Sequence, residues 1–145
     1  MRCLFFLAVL MFSSCFGQES NEEKLFHSKL KSIISSQTEK EIVIDIAEIT
    51  DFDWDELFIF RPYTSGNKIN ESLGIQWSDE ANTSVVGSES YSLFIFMNKG
   101  KVVLETFVPR SISKDFGFLE QIKFSRNDAK FISDKDNYVI NHIKL

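Results

Sequence analysis

Two apolar runs held apart by three turn-forming residues constrain this chain more than any other feature. Tyr91-Ser92-Leu93-Phe94-Ile95-Phe96-Met97 and Lys101-Val102-Val103-Leu104-Glu105-Thr106-Phe107-Val108 flank Asn98-Lys99-Gly100. Aromatic and β-branched side chains suit a pleated backbone, and glycine supplies the positive φ of a tight turn. The pattern predicts an antiparallel hairpin that stops at Pro109, which has no N–H to give to a ladder.

The remaining periodicities supply the layers around that hairpin. Residues 18–38 are polar-rich, with Leu25, Phe26, Leu30, Ile33 and Ile34 on one helical stripe. Ser20 or Asn21 caps this helix, and Glu22 and Glu23 sit where the helix dipole favours negative charge. From Glu41 the period changes, and Ile42-Val43-Ile44-Asp45-Ile46-Ala47 reads as a strand. Leu57-Phe58-Ile59-Phe60 reads as another, closed by Arg61-Pro62-Tyr63. Ile69 and Leu73 with Gly74 behind them predict a short helix, its cap near Ser65. Val85-Val86 offers one short strand, Phe118–Phe124 a strand or irregular segment, Asp134–Asn137 a turn, and Tyr138–Leu145 a last strand. The expected architecture is α+β: a mainly antiparallel sheet with an N-terminal amphipathic helix packed on it and a second short helix.

Residues 1–17 stand apart from this domain. One positive charge at Arg2, an apolar run from Cys3 to Phe12, then small residues make an export signal. Ten apolar residues are too few for a bilayer, which needs about twenty. Two processing routes remain open. Phe12-Ser13-Ser14-Cys15 resembles a bacterial lipobox, in which Cys15 becomes the lipidated first residue, although Phe12 stands where leucine is usual. The alternative cut follows Gly17, with Cys15 and Gly17 as the small residues at −3 and −1, and leaves a free chain from Gln18. Residues 18–145 are then expected to form a single α+β domain. Acyl chains on Cys15 would hold it on a membrane at about 0.8 kcal/mol per buried methylene.

Both cysteines, Cys3 and Cys15, lie in the signal region, so residues 18–145 contain no disulfide and no thiol nucleophile. Eleven of the 15 phenylalanines lie beyond residue 17, and the core has to come from them. Without Arg2 the chain has 15 basic and 21 acidic residues, a net charge of −6. That balance argues against a nucleic-acid or anionic-lipid surface, since either needs a basic footprint.

Motifs that carry chemistry are few. In Thr50-Asp51-Phe52-Asp53-Trp54-Asp55-Glu56, an extended backbone would put Asp51, Asp53 and Asp55 on one side, where three carboxylates can hold a hard cation such as Ca²⁺. Glu56 occupies the place of the glycine that a calcium loop requires, and the alternative is a solvated acidic turn. His27 is expected on the surface of the first helix and His142 on the last strand, neither beside a Gly-x-Ser-x-Gly nucleophile. No glycine-rich phosphate loop is present, and no cofactor is implied. Trp54, Tyr63 and Trp77 are candidates for a binding surface, since aromatic rings combine contact area with a polar handle. Trp77, between Gln76 and Ser78, is expected to be the most exposed of them.

Trp54-Asp55-Glu56-Leu57-Phe58-Ile59-Phe60-Arg61-Pro62-Tyr63-Thr64, followed by Ile69 and Leu73-Gly74, resembles a segment of small bacterial envelope proteins, many with lipoprotein-type signals. The shared pattern is a Trp-Asp pair, an apolar strand and Pro-Tyr-Thr, over about twenty residues. The resemblance implies an exported α+β protein and brings no activity, cofactor or substrate. The expected function is a non-enzymatic binding or structural protein of the envelope, partnered by an envelope protein or another envelope component. Its contact with the membrane would run only through lipid on Cys15. The alternatives are a hydrolase using a metal at the acidic cluster, or an inhibitor or immunity-type protein acting on an envelope enzyme.

Overall fold

The computed structural model describes residues 19–77, 89–112, 116, 119, 121–136 and 139–144. The export signal, Cys15 and the strand expected at Val85-Val86 lie outside these residues. The described fold is α+β, built from three helices and seven strands in two antiparallel sheets.

Helix α1 (Asn21–Ser35) starts where its cap dictates: the Ser20 hydroxyl accepts from the Glu23 N–H at 3.1 Å. It buries Phe26, His27 and Leu30, with Ile33 and Ile34 packed at the edge of the same core. Leu25, expected on that stripe, is 43% exposed, because it is one residue off the 26–30–33 row.

Strand β1 (Glu41–Asp45) ends two residues before the apolar run does. The Asp45 carboxylate accepts from the Ala47 N–H at 3.0 Å and caps a one-turn helix, α2 (Ile46–Ile49). A side-chain cap has overridden the β-branched pattern here.

Strand β2 (Glu56–Phe60) lies in the middle of the larger sheet, between β3 (Tyr91–Asn98) and β5 (Lys123–Ser125). Buried on both faces, it divides its side chains between two cores. Leu57 and Ile59 join Phe94 and Phe96 on one face. Phe58 and Phe60 join Leu93, Ile95 and Met97 on the other, beneath Ile69 and Leu73 of α3 (Gly66–Leu73). The first core is covered by α1 and by the smaller sheet of β1, β6 (Lys130–Asp134) and β7 (Ile140–His142), which contribute Ile44, Phe131 and Ile140. The molecule is therefore layered, with α3 on one face of the four-stranded sheet and α1 with the three-stranded sheet on the other.

The hairpin forms as its sequence requires, β3 pairing with β4 (Lys101–Pro109). Lys99 at φ 50° and Gly100 at φ 75° make the turn with both central residues in the left-handed region, which matches the twist of the strands. The register shifts between Phe96 and Met97, leaving Val103 unpaired and outward as a bulge. Gly74 ends α3 at φ 69°. Among the described residues, no helix is long and apolar enough to cross a membrane.

Candidate ligand-binding groove

The structure separates the three aspartates expected to face one ion. Asp51 accepts from Lys29 Nζ at 2.7 and 2.8 Å. Asp55 accepts from the Lys99 N–H at 2.9 Å and so fixes the hairpin turn. The Asp53 carbonyl, rather than its carboxylate, takes a hydrogen bond from Asn98. Among the described residues, no three His, Cys, Asp or Glu side chains are placed to hold a metal ion. Arg126 closes this loop from the far side, donating to the carbonyls of Phe52 and Trp54 and lying 5.0 Å from the Trp54 ring.

Two of the aromatic candidates are occupied. Trp54 is 3% exposed, and its indole N–H donates to Thr50 Oγ1 at 2.8 Å, so it is a core residue and not a surface one. Trp77 is half-buried over the second core, its indole N–H given to the Glu105 carboxylate and its backbone N–H to Asn70 at 3.0 Å. An unpaired indole N–H is costly to bury, which is why both rings found partners. Tyr63 alone projects from the surface, at 58% exposure.

His27 is buried instead of lying on the helix surface. The Thr106 hydroxyl lies 2.7 Å from both Glu23 Oε1 and His27 Nε2, and His27 Nδ1 is 3.5 Å from Glu19. One hydroxyl has one hydrogen. The carboxylate can only accept, so Thr106 donates to Glu23 and receives the Nε2–H of His27. The order of groups resembles a nucleophile, base and acid. However, Thr106 is 1% exposed with its hydrogen committed to Glu23, and neither cavity described below touches it. The cluster pins α1 to β4. His142 lies in β7 as expected and donates from Nε2 to the Asp128 carbonyl at 2.8 Å, its ring beside those of Phe124 and Phe131.

Tyr63 borders a groove of about 990 Å³. Strand β2 delivers its chain to this edge at Phe60, and the next residues turn sharply. The Arg61 carbonyl accepts from Thr64 Oγ1 at 2.7 Å and from the Thr64 N–H. Tyr63 occupies φ 64°, a left-handed conformation that costs a non-glycine residue about 1 kcal/mol and is held only by its surroundings. Ser65 then caps α3, accepting from the Lys68 N–H at 3.3 Å.

The groove has an apolar floor and a charged rim. Ile59, Phe60 and Phe116 are buried beneath it, while Arg61, Lys68 and Arg110 stand exposed at its border with one acid, Glu89. Among the described lining residues three bases face one acid, the reverse of the balance of the whole chain. Strands β2 and β4 both run antiparallel to β3, hence parallel to each other, and their final residues bring Arg61 and Arg110 to the same end of the sheet. The Arg110 N–H donates to the Ser90 carbonyl at 3.0 Å, which holds Glu89 nearby.

The Tyr63 hydroxyl donates to Glu89. That hydrogen bond, then desolvation, then the carboxylate's charge raise the phenol above its ordinary value near 10. The neutral form is favoured in the fold, so this contribution is complete below pH 10 and is lost as pH rises through the folded-state value. Ultraviolet titration should show the Tyr63 phenol ionising at higher pH in the intact protein than in the Glu89→Gln variant. Identical curves for the two proteins would show the hydrogen bond to be absent in solution.

The second cavity, about 190 Å³ between α1 and Thr50–Phe52, is below the usual size for a ligand site. Fold and groove together define a small α+β domain with one ligand-sized concavity among the cavities described. No protein-family model, curated protein or solved structure matches the chain.

Proposed function

We propose that this chain is an exported, non-enzymatic binding protein of the bacterial cell envelope, and that the Tyr63 groove holds its ligand. The groove carries the reading. It is of ligand size, its floor is apolar and fixed by the central strand, and its polar groups converge from three separate elements. The export signal supports delivery to the envelope, with lipid on Cys15 or release from Gln18 deciding between a tethered and a free form. The resemblance to small envelope proteins agrees. A partner would be an envelope protein or another envelope component.

In-cell photocrosslinking tests this directly. A benzophenone side chain at position 63 should capture an envelope component, while the same probe at exposed Val43, on the smaller sheet, should not. Equal capture at both positions, or none at 63, would remove the groove as the site. Intact mass from the same preparation identifies the processed form, beginning at acylated Cys15 or at Gln18.

A further inference from the structure

Resting on that reading, we infer that the groove selects a small organic anion with an apolar body: a carboxylate, phosphate or sulfonate head on an alkyl or aromatic tail. The two halves of the groove ask for two halves of a ligand. Half-buried Leu119 and Ile122 offer an apolar side for the body, backed by buried Phe116. The rim supplies cations from three directions: Arg61 after β2, Lys68 on α3 and Arg110 after β4. Guanidinium groups bind planar oxyanions through paired, charge-assisted hydrogen bonds, and two of the three are arginines. The N-terminal end of α3, capped by Ser65, adds the positive end of a helix dipole beside Lys68.

Glu89 fits the same account. Among the described lining residues it is the one acid, and it accepts the Tyr63 hydroxyl. A carboxylate there holds the place of an incoming anion and competes with it. Lys68 is shared with Glu71 at 3.4 Å, an exposed pair that is weak and readily exchanged. The volume is at the upper end of small-ligand sites and suits one amphiphile.

Two fluorescent probes of nearly the same body separate the charge from the tail. The protein in its processed form is titrated with 1-anilinonaphthalene-8-sulfonate and with uncharged N-phenyl-1-naphthylamine, and amide chemical shifts locate each. The sulfonate should bind at least about tenfold more tightly, which is the scale of one charge-assisted hydrogen bond, with shifts at Arg61–Lys68, Arg110 and Ile122. Arg61→Gln should lose about tenfold for the sulfonate and leave the neutral probe unchanged. Glu89→Gln should gain about threefold, and this exposed change is not expected to disturb folding.

Equal affinities at the groove would overturn the anion selectivity and leave the binding reading intact. No shift at the groove with either probe would sink both. Competition then identifies the source of the anion. Displacement by octyl phosphate alone assigns a soluble amphiphile; displacement by phosphatidylglycerol vesicles as well assigns a lipid headgroup. Displacement only by an acidic peptide would overturn the proposal in favour of a protein partner.

Discussion

Phe96→Ala is expected to lower the unfolding free energy by about 4 kcal/mol, near the middle of the range for emptying a buried phenylalanine site. Phe96 is fully buried on β3, and three other rings meet it edge-on. Phe26 of α1 lies 5.5 Å away, Phe52 5.2 Å and Trp54 5.3 Å, at interplanar angles of 82°, 86° and 71°. Such pairs add about 0.5–1.5 kcal/mol each beyond the area they bury. The three rings hang from two separately fixed segments, α1 and the loop that Arg126 closes, so the cavity cannot close by moving one of them. Trp54 is both neighbour and reporter: urea unfolding followed by its fluorescence reads the midpoint, with an unchanged slope expected. A loss under about 1 kcal/mol would mean that the cavity collapses and the core is loosely packed.

Thr106→Val should cost about 2–3 kcal/mol although it changes almost no volume. The substitution strands the Nε2–H of His27 inside the α1–β4 contact and takes the donor from half-buried Glu23. A buried polar group left unpaired costs about 1–3 kcal/mol. Thr106→Ser restores the hydroxyl and should recover most of the loss, short of about 1 kcal/mol for the missing methyl. Chemical denaturation of the three proteins decides the matter. If valine and serine are equally mild, the hydroxyl does not hold the helix.

Much of this architecture is legible locally. Ser20 capping α1, Gly74 ending α3 and the Lys99-Gly100 turn are each set by residues within one turn of where they act. The sequence also leads to β2, β3 and β4 with ends shifted by a residue or less. Strand β6 is not read from it, because Lys130-Phe131-Ile132-Ser133-Asp134 is short and only two of its residues are apolar. Its burial comes from pairing with β1, a tertiary fact. The division of strands between two sheets is hidden for the same reason.

The groove shows the same limit at the level of function. Tyr63 is legible as a turn aromatic, whereas Arg61, Lys68, Glu89 and Arg110 are scattered through an acidic chain. One signal was within reach: a basic residue directly follows each of two strands that flank β3. Once both are placed beside β3, antiparallel pairing puts Arg61 and Arg110 at one end of the sheet. Trp54 and Trp77 mislead because an indole in an irregular segment looks solvent-facing until its hydrogen-bond partner is known.

The pairing of β1 with β6 sets an order of events during synthesis. Ile44 is made 87 residues before its partner Phe131. Until then the first strand has no ladder, the smaller sheet cannot close, and α1 alone can cover that face of the larger sheet. Pairing across that separation is slow to form, since loop-closure entropy is lost before the contact rewards it, and it leaves the β1 edge open to other strands in the meantime.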